Sequence, residues 1–132
     1  MSWLNHDLSD VPTGRELLPG ATYTFEVVPG TAKFGKFDPN AIEFRAAVVG
    51  GEFNGRPVFI SYPDPDKQDW SLTAFKRLTV ALGVEIAKGE GPIDYLGRVG
   101  GLHFNMPVSI VKDKEGVDRQ RYNILNPSPA KN

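Results

Sequence analysis

The stretch Ile42-Glu-Phe-Arg-Ala-Ala-Val-Val-Gly-Gly-Glu-Phe-Asn-Gly-Arg-Pro-Val-Phe-Ile-Ser-Tyr62 decides the fold. In its first part Ile42, Phe44, Ala46 and Val48 alternate with Glu43, Arg45 and Ala47. In its last part Val58, Ile60 and Tyr62 alternate with Phe59 and Ser61. A period of two means a strand with one face buried. Asn54-Gly55 lies between the two runs, and a tight I′ turn needs positive φ at its central residues, so the segment predicts a β-hairpin.

Working outward, Tyr23, Phe25 and Val27 alternate with Thr22, Thr24 and Glu26, a further half-buried strand that stops at Pro29-Gly30. Downstream the period changes. From Trp70 to Leu82 the residues Leu72, Phe75, Leu78, Thr79 and Leu82 recur at three and four, which predicts an amphipathic helix. Asp69 or Ser71 is expected to cap its start, and Gly83 stands where a helix-ending glycine belongs. A short helical turn is expected from Pro92 to Val99, closed by Gly100-Gly101. Two strands finish the pattern, Leu102–Val111 and Asp118–Leu125, joined by a turn from Asp113 to Gly116.

The order strand, strand, strand, helix, strand, strand predicts an all-β chain of small α content, a five-stranded OB-fold barrel. The rival is a sandwich-like sheet with one helix across an open face. Residues 1–20 form an expected N-terminal arm: Asp7, Asp10, Pro12, Gly14 and Pro19 leave little room for regular structure, while Trp3, Leu4, Leu8 and Leu17 can pin the arm down. Residues 21–125 are the expected OB domain, and 126–132 have the composition of a flexible end.

Size and composition narrow the function. At 132 residues and 40% hydrophobic, the chain is one domain with one core. The absence of cysteine excludes disulfides, thiolate metal sites and a cysteine nucleophile. No apolar run approaches the roughly 20 residues of a membrane span and no signal-peptide pattern is visible, so a cytosolic protein without a membrane partner is expected. The net charge is −1, yet residues 98–132 hold six basic and three acidic groups, which permits a local basic face.

No phosphate loop, nucleophile elbow or zinc-protease motif occurs. His6 and Asp10 could supply half a metal site only on a helix, and the segment has little helical character. Asp64, Asp66 and Asp69 lack the glycine and final glutamate of a calcium loop, and they suit a turn and a helix start instead. Neither catalysis nor a cofactor is expected.

Aromatic and basic residues interleave instead. Lys33-Phe34-Gly35-Lys36-Phe37 joins the first two long strands, in the loop that binds oligonucleotides in an OB barrel. Bases stack on such rings while cations track phosphates. Strand alternation puts Arg45, Phe59, His103, Arg119 and Arg121 on the side away from the core, and Arg56 beside the hairpin turn. Together with Lys33, Phe34, Lys36 and Phe37 of the loop, these six make the expected nucleic-acid-binding set of ten. Trp70 is expected to anchor the helix, and Lys76 and Arg77 to lie on its solvated side.

Leu4-Asn-His-Asp-Leu-Ser-Asp-Val11, Leu18-Pro-Gly-Ala-Thr-Tyr-Thr-Phe25, Gly51-Glu-Phe-Asn-Gly-Arg-Pro-Val-Phe59, Phe75-Lys-Arg-Leu-Thr-Val-Ala-Leu-Gly83 and Leu96-Gly-Arg-Val-Gly100 follow one another in the order of a phage-encoded protein family. The chain resembles that family over most of its length. The family looks like OB-fold single-stranded DNA-binding proteins associated with phage replication and recombination genes. The resemblance implies a non-enzymatic, sequence-independent single-strand binder in the cytoplasm of an infected bacterium. It implies that Arg45, Phe59 and the Lys33–Phe37 loop line the groove, with phage replication or recombination proteins as partners. The chain ends Ser128-Pro-Ala-Lys-Asn132 without an acidic recruiting tail. The alternative is a phage adaptor or accessory structural subunit, with the arm joining copies into a homo-oligomer.

Overall fold

The computed structural model describes residues 17–36 and 38–130. It contains strands β1 (Ala21–Val27), β2 (Lys33–Phe34), β3 (Ile42–Val48) and β4 (Pro57–Tyr62), then helices α1 (Trp70–Leu82) and α2 (Pro92–Arg98). Strands β5 (His103–Lys112), β6 (Asp118–Tyr122) and β7 (Ser128–Pro129) follow. The sheet is antiparallel and curls into a half-barrel. β3 carries β4 on one edge and both β1 and β2 on the other; β1 continues to β5, and β5 to β6 and β7. Among the described residues no pairing joins β4 to β6. No described helix is long and apolar enough to cross a membrane.

β1 and β2 are two parts of one bent path along β3. Between them Val28 N–H donates to the Arg45 carbonyl at 3.0 Å. The Thr31 hydroxyl accepts from Arg45 N–H at 3.0 Å and donates to the Val28 carbonyl at 2.8 Å. A side chain thus stands in for a ladder partner where the strand breaks at Gly30, whose φ is 76°. The expectation of a loop over 33–37 is corrected here: Lys33 and Phe34 pair with Glu43 and Ile42. The hairpin is where the sequence puts it, but its turn is not the I′ type. Gly50, Gly51 and Gly55 take the positive φ values, while Asn54 Oδ1 accepts from Gly50 N–H at 2.6 Å and ties a longer loop together.

The inner faces of the strands form the core. Phe25 stacks on Phe104 at 5.7 Å and Phe44 on Tyr62 at 6.4 Å. Phe75 of α1 meets Tyr62 and Tyr95 edge-on, and so joins the sheet to both helices. α1 has the expected bounds and ends at Gly83 in the left-handed region. Its cap and its buried face differ from expectation. Asp69 makes no capping bond, and Ser71 is buried, donating to the Pro63 carbonyl at 2.7 Å. Small residues at 74 and 81 lie in the buried stripe, so the helix approaches closely there. Leu72, one step of about 100° round from Ser71, is 65% exposed. Trp70 is at the surface and donates to Gln68.

Leu18 and the stretch after β6 are tied in further than expected. Leu18 is buried, its N–H donating to Gln120 Oε1 at 2.6 Å and its carbonyl accepting from Gln120 Nε2 at 3.1 Å. The rest of the arm, with Trp3, Leu4, His6, Leu8 and Asp10, lies outside the described residues. β6 stops at Tyr122 rather than Leu125, and the end expected to be flexible pairs Ser128 and Pro129 with Asn105 and Phe104. Asn105 Nδ2 adds a bond to the Pro129 carbonyl.

α2 begins at Pro92 as expected, and Arg98 near its end grips Glu90 through Nε at 2.9 Å and Nη2 at 2.8 Å. This pairing, with the Ala87 N–H, holds the Glu90 carboxyl down at about 2, against an ordinary 4.5. A depressed carboxyl stabilises the fold above its unfolded pKa and loses that contribution as pH falls through the folded one. The melting-temperature advantage of wild type over Glu90→Gln is therefore expected to shrink between about pH 4.5 and pH 2. An advantage independent of pH in thermal melts would contradict this.

Candidate functional site

The outer face of β2, β3 and β4 gathers three of the sequence-predicted residues. Arg45 faces Phe59 across the ladder, and its guanidinium carbon lies 4.7 Å from the ring centroid. One step along, Lys33 Nζ is 3.5 Å from Glu43 Oε1. With Gly30 and Thr31 these side chains line a niche of about 240 Å³. Phe59 is 54% exposed, a ring with one face against a cation and its remainder open. Lys33 is largely solvated in this 3.5 Å pair while Glu43 is partly covered, and an exposed lysine held at that distance is a weak ion pair, so an incoming anion can exchange for the carboxylate. The niche can neutralise an anion and receive a flat ring together.

The other predicted residues are distributed elsewhere. Phe34, next to Lys33 in the strand, points to the opposite face and lines a separate cavity of about 530 Å³. Phe34 is thus corrected out of the niche by the same alternation that brings Lys33 in. Lys36 is exposed in the following turn, and Phe37 lies outside the described residues. Arg56 sits at the far end of the hairpin, its guanidinium carbon 5.9 Å from the Phe53 ring centroid, and does not join the niche.

His103, Arg119 and Arg121 share the outer face with Arg45 but not its niche. His103 is half-buried opposite Glu26, and beyond it Thr24 and Asn105 hydrogen-bond across the ladder at 2.6 Å. Arg119 and Arg121 stand on β6 opposite Val111 and Ser109. This hairpin projects from the core and exposes Ile110, Val111 and Val117. Asp113 holds its turn by accepting from Val117 N–H, Glu115 N–H and Arg119 Nε. Those bonds, the Val117 one foremost, keep its carboxyl below the usual range.

Sequence reasoning missed the larger cavity, which lies between the β2–β4 end of the sheet and the helices. Leu72, which its spacing placed in the apolar stripe of the helix, is instead exposed beside this cavity. No family model matches the chain, and no curated protein matches it.

Proposed function

We propose that this chain is a non-enzymatic single-stranded DNA-binding protein built on an OB barrel, binding largely without regard to sequence. We place it with the phage-encoded proteins it resembles, acting in replication or recombination in the infected host. Counting β1, β3, β4, β5 and β6 as the five barrel strands, Arg45 and Phe59 stand on the second and third, and Lys33 in the connection from first to second. Those are the surfaces OB barrels use for oligonucleotides. The observation that carries the reading is this juxtaposition of Lys33, Arg45 and a half-open Phe59. Arg45 and Lys33 would hold successive phosphates, Phe59 would stack a base, and Arg121 on the projecting hairpin would extend the track.

Binding of this kind releases counterions. The slope of log affinity against log salt is expected near −2 for about three phosphate contacts on a single strand. Arg45→Ala should make the slope shallower by about 0.7. Affinity unchanged between low and high salt would contradict the mechanism. Phe34→Ala, on the opposite face, should leave strand affinity within about twofold of wild type, inside the range of surface substitutions.

A further inference from the structure

The cavity beneath Phe34 has its own chemistry. Ile42 and Tyr62 of the sheet and Phe75 and Thr79 of α1 form much of its wall, and Phe34 and Leu72 stand at its mouth. These two are 58% and 65% exposed. Its volume of about 530 Å³ lies within the usual range of ligand pockets, about 300–1,000 Å³.

Asp64 gives the cavity a polarity. The residue is only 6% exposed, yet it lines the cavity. Its Oδ1 accepts from Asp66 N–H at 2.9 Å, and among the described residues no other donor reaches the carboxylate. Its backbone carbonyl is occupied separately by Lys67 and Gln68. The remaining exposure of the residue lies at its second oxygen, since no fully buried side-chain oxygen among the described residues lacks a partner, so this oxygen opens to the cavity and is available to a cation. Asp66 adds a second negative charge to the lining, and Lys76, exposed on α1, is the only cation among the described lining residues.

We propose that this cavity docks a segment of a partner protein that carries a bulky apolar side chain beside a lysine or arginine. The apolar side chain fills the space between Tyr62, Phe75 and Ile42, and the cation reaches the free oxygen of Asp64. Phe34 and Leu72 extend the apolar surface beyond the cavity, which a polypeptide covers and a small amine does not. Aromatic and arginine anchors of this kind dominate protein interfaces. The site faces away from the Arg45–Phe59 niche, so the inference does not depend on the strand-binding reading.

The test uses the full chain, labelled for amide chemical shifts and titrated with N-acetyl-Trp-Arg-amide and N-acetyl-Trp-Glu-amide. The arginine probe is expected to move Asp64, Ser71, Phe75 and Thr79 and to bind at least about tenfold more tightly than the glutamate probe. Asp64→Asn keeps an oxygen for the Asp66 amide and should abolish that preference. Leu72→Gln, at an exposed position, removes apolar surface without adding charge and should weaken both probes while the melting temperature holds. Equal affinity for the two probes, or no saturable shifts at these residues up to about 10 mM, overturns the proposal. Tryptamine binding as tightly as the arginine probe would replace the protein partner with a small amine. Displacement of the probe by single-stranded DNA would assign the cavity to the strand path instead, and also overturns it.

Discussion

Phe59→Ala is expected to weaken single-strand binding by about 5- to 150-fold while the protein melts at nearly the wild-type temperature. Stacking on one exposed ring contributes roughly 1–3 kcal/mol per base, which sets that range. The stability half of the expectation follows from the position. Phe59 points outward between the buried Val58 and Ile60, and 54% of it is exposed, so its removal leaves no cavity. The change also removes the ring that the Arg45 guanidinium covers, so part of the loss should appear as a looser arginine. Anisotropy titration and a thermal melt on the same preparation separate these effects. Unchanged affinity would take Phe59 out of the binding surface. A large fall in melting temperature would mean that the outer face of β4 is packed against something.

The opposite outcome is expected one layer deeper. Phe25→Ala should cost about 3–5 kcal/mol, the usual loss for a buried phenylalanine. Phe25 is fully buried on β1, stacked on Phe104 and edge-on to Tyr23. β1 joins β3 to β5, so a cavity there loosens both halves of the sheet. Against a total of about 5–15 kcal/mol for a domain, the loss should bring the chain near its unfolding threshold at physiological temperature. Denaturant unfolding measures it directly. A loss below about 1 kcal/mol would mean that this face of β1 is not core.

The contrast between Phe59 and Phe25 shows what was legible in the sequence. Alternation separated inward from outward residues on β1, β3, β4 and β5, because a side-chain period of two admits no other reading once one face is apolar. The 3.6-residue period placed α1 at its observed bounds. What escaped had no period. β2 is two residues long and exists because the Thr31 hydroxyl stands in for a backbone partner, which composition does not show. β7 depends on Asn105 reaching the Pro129 carbonyl from a strand more than twenty residues earlier.

The candidate site divides in the same way. Arg45 and Phe59 were legible as outward residues of a hairpin, and register then made them neighbours. Lys33 and Phe34, read as one loop, belong to opposite faces because they lie in a strand. The cavity was invisible because it needs α1, α2 and the sheet together.

The central claim is tested most directly by fluorescence anisotropy with one labelled oligonucleotide of about 30 nucleotides, single-stranded and then annealed to its complement, at low and moderate salt. The account predicts tight binding to the single strand that weakens steeply with salt, and little binding to the duplex. No binding to the single strand at low salt, or equal binding to both forms, would contradict it.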